Sequence, residues 1–273
     1  MTPASRAPLA SGPANSVSAT AEARGEAAAE LGTLPEWDLS DLYRGPDAPE
    51  VGRDLGAAAQ EARRIKESYQ GKLAALAGDG GELALAIEAY ERLSDLMGKL
   101  GAYAGLLYSA NQSDPVRAKF FGDISDKLTA ISTDLIFFEL ELNQIADDRL
   151  AEAVKHPALA RLKPWLDDLR KEKPYQLEEK LERLFHEKGQ TSRAAFSRLF
   201  NETMSALKFR VEGEPAPLAL EPTLNLLSHA QEPRRKAAAD ALAKVFKDNI
   251  RLFTLITNTL AKDKEISDRW RGF

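Results

Sequence analysis

The chain has 273 residues, 44% of them hydrophobic and 29% charged, with a net charge of -5 at pH 7. That length suits one large domain or two smaller ones, and the acidic balance argues against a nucleic-acid partner, since no basic excess can displace phosphate counterions. No run approaches the roughly 18 apolar residues that cross a bilayer, and the absence of cysteine excludes disulfides and thiolate chemistry and fits a cytoplasmic setting.

Residues 1–30 hold ten alanines and three early prolines, with Met1, Leu9 and Val17 as the large apolar side chains. So little apolar surface cannot offset the entropy of ordering, which predicts a disordered leader over 1–30. From Leu83 the positions Ala86, Tyr90, Leu93, Met97, Leu100, Ala104 and Leu107 follow at gaps of three and four. That spacing puts them on one helix face. Gly98, Gly101 and Gly105 weaken this helix, and the expected compensation is close approach of a neighbouring backbone. A membrane-type G-x-x-x-G reading fails against Arg92, Asp95 and Lys99.

A second stripe runs through Val116, Phe120, Ile124, Leu128, Ile131, Leu135, Phe138 and Leu142. Ser113 can cap its start and Pro115 suits its first turn. Two helices of about thirty residues, joined near Gln112-Ser113, predict a long antiparallel hairpin. Shorter helices follow over 146–205, broken at His156-Pro157 and Lys173-Pro174, with Gly189 as a stop and Thr191 or Ser192 as a new cap.

Leu207, Phe209 and Val211 alternate with Lys208, Arg210 and Glu212, and the pattern resumes at Leu218 and Leu220 after a turn. This predicts one small β-hairpin near 207–220. Glu232-Pro233 then opens a last long helix with Phe246, Ile250, Phe253, Thr257 and Leu260 on one face. The expected fold class is mainly α, with long helical hairpins, shorter helices and that single β-hairpin.

Candidate chemistry is sparse. His186-Glu187-Lys188-Gly189-Gln190 would be the zinc-protease signature H-E-x-x-H if residue 190 were histidine, with the two histidines four apart gripping zinc and Glu activating its water. Gln190 cannot stand in, because an amide oxygen is a poor zinc ligand. His186 reads instead as a helix-end histidine favoured by the C-terminal dipole. His156 and His229 lie 30 and 43 residues from it, which is no metal-ligand spacing. Glu139 and Glu141 could be drawn as an acid–base pair, yet on a helix they flank opposite edges of the apolar stripe and read as solvated faces. Catalytic, cofactor and metal residues are therefore all assigned as none.

Several stretches together resemble the N-terminal half of oligoendopeptidase F, a zinc metallopeptidase related to thimet oligopeptidase. They are "LPEWDLSDLY" at 34–43, "YAGLLYSANQSDP" at 103–115, "RAAFSRLFNET" at 193–203, the hairpin region from Leu207, and "DKEISDRWRGF" at 263–273. The resemblance covers about 31–273. It implies a helical lobe over 31–205 and the first hairpin and helix of a catalytic domain over 206–273. It also implies oligopeptide hydrolysis inside a channel, with zinc held by H-E-x-x-H and a further Glu in the complete enzyme. None of those residues can be placed on this sequence, so the expectation is an incomplete chain, inactive alone and lacking a C-terminal catalytic half. Exposed apolar surface around Phe246, Ile250 and Phe253 would follow. The alternative is a self-standing helical scaffold or interaction protein without catalysis.

Overall fold

The computed structural model describes residues 37–273, so the leader expected over 1–30 lies outside the described residues. Contacts divide the chain into Met1–Leu39 and Ser40–Phe273. Of the first unit only Trp37–Leu39 is described, as irregular chain. The second is almost wholly helical.

Its centre is α3. The helices run α1 (Pro49–Tyr69), α2 (Leu73–Leu76), α3 (Gly80–Ala110), α4 (Pro115–Thr133) and α5 (Ile136–Gln144). The stripe read from the sequence does face inward: Leu83, Ala86, Leu93, Leu100 and Ala104 are all buried. α1, α4, α6 (Asp147–Ala153) and α7 (Pro157–Ala160) pack around that helix. Phe137, Phe138, Leu142, Ile145 and Leu159 close the core. Each such side chain contributes roughly 1.5–3 kcal/mol on full burial. Tyr90 stacks on Phe138 with ring centroids 4.5 Å apart.

α3 and α4 form the expected hairpin, since Tyr108 stacks on Phe121 while Gly101 lies beside Leu128 further from the turn. Two details differ. Asp114, not Ser113, caps α4, accepting from the Val116 and Arg117 amides; its shorter reach to the first-turn amides takes the position. The second long helix is broken at Asp134-Leu135, so α4 and α5 replace one element. Ser132 and Thr133 both turn their hydroxyls onto the Thr129 carbonyl, and such bonds compete with the helical ladder. Val116, the first residue of the expected stripe, is exposed.

The glycine expectation is corrected. A Cβ on Gly98 or Gly105 would meet nothing within 4 Å, and on Gly101 only the Leu128 side chain. Close backbone approach occurs instead at Gly80, where a Cβ would lie 2.6 Å from both the Ala153 carbonyl oxygen and His156 Cβ. The chain between α6 and α7 crosses the start of α3 there.

α8 (Lys163–Glu172), α9 (Glu179–Lys188) and α10 (Arg193–Ala206) complete the sequence of shorter helices. The hairpin shrinks to one antiparallel bridge, in which the Phe209 and Leu218 amides donate to each other's carbonyls at 2.8 and 2.9 Å. Pro215 and Pro217 carry no amide donors, and Leu220 already opens α11 (Leu220–Asn225), leaving the second arm no length. Phe209 and Val211 are buried against Ala238, Ala241 and Leu242 of α12 (Glu232–Asp248) in a core of their own.

The last long helix is also two. Asn249 separates α12 from α13 (Ile250–Arg271), its amide side chain donating to the Val245 carbonyl. Ile250 is exposed as expected. Phe246 and Phe253 are half-buried, in edge contact with each other and with Phe209 and Phe200.

The glycine geometry gives opposite expectations for two alanine substitutions in one helix. Gly80→Ala should lower stability by about 1–3 kcal/mol through overpacking. Gly98→Ala should raise it by about 0.5–1 kcal/mol through helix propensity. Urea unfolding midpoints of the two variants against the parent check both signs.

Candidate functional site

A cleft of about 1210 Å³ opens between α13 and the helices that carry the main core. Its floor is Tyr90 and Met97 of α3 with Ile136, Glu139 and Leu140 of α5. α9 and the start of α10 form one wall and α13 the other. The stretch of α13 on the cleft, Leu260 to Arg271, is about 16 Å long at the helical rise. Apolar groups dominate the floor, while the rim carries both charges.

α13 is fixed at each end of this span. Near its start Phe253 meets Phe200 of α10, with centroids 6.0 Å apart. At its end the Arg271 guanidinium makes a two-pronged ion pair with Glu182 of α9, at 2.6 and 2.7 Å, and also donates to the Tyr175 carbonyl. Phe273 lies on the Tyr175 ring at 4.4 Å and Trp270 meets Phe185 edge-on. Gly272, at φ 70°, provides the left-handed turn after Arg271 and lets the Phe273 amide reach back to the Asp268 carbonyl.

Burial alone would push the Glu182 carboxyl up. The Arg271 hydrogen bonds, the Leu177 amide and the Arg271 charge outweigh it and hold Glu182 below the usual carboxylate range. The neighbouring Tyr90 hydroxyl moves the other way. Burial first, then the charge and hydrogen bond of Glu139, raise it well above its ordinary value, so it stays a donor at 3.0 Å from Glu139.

The near-signature at 186–190 has a structural use. His186 Nε2 lies 2.8 Å from the Ser132 hydroxyl, and Gln190 donates to the Thr129 hydroxyl at 2.8 Å. Together these contacts seat α9 on α4. Ser132 and His186 stand at nucleophile–base distance, but the Ser132 hydroxyl also donates to the Thr129 carbonyl. With that proton committed, His186 is the donor and the serine is not activated.

The other two histidines serve turns: His156 Nδ1 accepts from the Ala158 amide and His229 Nδ1 from the Gln231 amide. Among the described residues no group of three or more His, Asp or Glu is arranged to hold a metal ion, so these residues do not fit a zinc site. Glu139 and Glu141 are not the solvated pair that the helix pattern suggested. Glu139 accepts from Tyr90, and Glu141 accepts from the Gly71 amide at 2.6 Å. The hydroxyl and the unpaired amide each recruit a carboxylate that the sequence placed at the stripe's edge. The Glu182–Arg271 pair leaves no signal in the sequence, where 89 positions separate the partners and no local pattern joins them.

Comparison with known proteins places this architecture. Residues 141–209 match the family described as Oligopeptidase F. No curated protein matches the sequence. The fold is similar to that of oligoendopeptidase-F from Enterococcus faecium, with a TM-score of 0.71 and 20% sequence identity, over 82% of this chain and 44% of that one. The chain thus spans less than half the length of that relative. The chain is similar to Oligopeptidase F in sequence over residues 141–209 and to that oligoendopeptidase in fold over most of its length.

The ion pair predicts a pH dependence. A depressed folded-state value means that the Glu182 contribution is present above the unfolded carboxyl range near 4.3 and lost as pH falls through the lower folded value. Glu182→Gln should therefore lower stability by about 1–3 kcal/mol at pH 7, with the gap from the parent closing in acid. Denaturant midpoints measured for both proteins from pH 7 down to pH 3 read this directly.

Proposed function

We propose that this chain is the helical, N-terminal part of a zinc oligopeptidase and that its cleft forms part of the wall along which short peptides bind. The fold likeness over 82% of the chain, with the family match inside it, is the observation that carries the reading. The cleft supports it as well. Its 16 Å run along α13 would face about five extended residues at roughly 3.3 Å each, and an apolar floor with a rim of mixed charge suits a peptide of varied sequence.

Hydrolysis would use zinc and a general base from polypeptide outside these 273 residues, held by an H-E-x-x-H helix and a further Glu. In this proposal the chain alone binds no zinc and cleaves nothing. The division into a helical lobe over 31–205 and the first piece of a catalytic domain over 206–273 is part of the same proposal. It is supported by the separate clusters of buried residues, one between Ala58 and Leu166 and one between Phe209 and Leu242. The compartment that fits is the cytoplasm, given a chain without cysteine. No helix among the described residues is long and apolar enough to cross a membrane.

The test is a zinc determination on the purified chain beside a quenched-fluorescence peptide assay. The expected outcome is less than stoichiometric zinc and no turnover above buffer. Chelator-sensitive cleavage by the isolated chain would overturn the proposal, because it would demand a metal site within these residues.

A further inference from the structure

α13 is held unevenly along its length. Its first turns pack on α10 through the ring cluster of Phe200, Phe246 and Phe253, just after the helix break at Asn249. From Leu260 onward its inner face lines the open cleft. At the far end it meets the main helices through Arg271 on Glu182 and the Tyr175 carbonyl, with Phe273 on Tyr175 and Trp270 on Phe185. Trp270 and Phe273 are each more than half exposed, so those ring contacts bury little apolar surface. The fastening at this end rests on one guanidinium fork.

Other charges nearby do not replace it. Lys264 is taken by Asp268 within α13 itself, and Arg269 by Glu265. Glu172 adds a second negative charge that favours the Arg271 cation. A helix fixed at one end, hollow beneath its middle and pinned at the other by one charged pair can open without disturbing the core.

We propose that α13 is a strap over the cleft, anchored on α10 through Phe253 and latched by Arg271 on Glu182, and that release of this latch opens the cleft to a ligand. This goes beyond the peptidase reading and does not depend on it: the movement belongs to the chain whatever the cleft accepts. The latched state is the one described here. The open state keeps the Phe200–Phe253 contact and parts α13 from α9.

Because the chain has no cysteine of its own, two introduced thiols can be labelled specifically. Ala151→Cys on α6 and Arg269→Cys on α13, both exposed, would carry spin labels for distance measurement. In the parent background a single dominant distance is expected. With Glu182→Gln or Arg271→Gln a longer population should appear, while circular dichroism keeps the helical signal. Arg271→Lys should fall between, since it keeps the charge and loses the fork.

Hydrogen exchange on the unaltered chain gives the second measurement. Amides of residues 261–271 should exchange at least about tenfold faster than those at the centre of α3, reporting local opening rather than global unfolding. Unchanged label distances in both folded variants would overturn the strap, as would α13 amides exchanging at the rate of α3. Should a variant fail to fold, exchange in the unaltered chain decides.

Discussion

The apolar face of α3 is the constraint from which the rest of this structure follows. Thirty-one residues of one helix carry a stripe that no single partner can cover. α1, the α4–α5 pair and the short helices α6 and α7 are arranged to cover it between them. The crossing at Gly80 shows how tight that arrangement becomes, since the space of one methyl group is occupied by the backbone of another segment. Hydrophobic burial has no direction of its own, and direction comes from the polar contacts at its edges. Lys66 pairs with Asp134 at 2.6 Å, Glu141 takes the Gly71 amide, and Asn143 donates to the Leu169 carbonyl.

Beyond that core the chemistry of cohesion changes. α9 is seated on α4 by hydrogen bonds from His186 and Gln190, and α13 is fastened by an ion pair and a few half-exposed rings. Contacts of this kind are modest and each depends on a specific geometry. They leave room where apolar packing would have filled it. The cleft lies against the second half of α13, past the packing of its first turns on α10.

That contrast also orders the functional reading. The cleft offers an apolar floor, charged rims and a protonated Tyr90 hydroxyl beside Glu139, which are means of binding. The contact between Ser132 and His186 is spent on docking. The fold likeness to an oligoendopeptidase covers most of this chain and less than half of that one.

The sequence by itself determined the helices that carry long apolar stripes. Leu83 to Leu107 and, apart from its break and its exposed first residue, Val116 to Leu142 could be assigned because helical periodicity is a local property, written at spacings of three and four. The same locality set the turn at Asn111–Asp114 and the mismatch of Gln190 to a metal motif. Breaks were harder to read. Asp134-Leu135 and Asn249 carry neither proline nor glycine, and there side-chain bonds to the chain's own carbonyls decided the outcome. The tertiary structure alone decided the cleft and its latch. Glu182 and Arg271 meet because α9 and α13 are brought together by separate packing on other helices, and a pairing across 89 residues leaves no periodic trace in either segment.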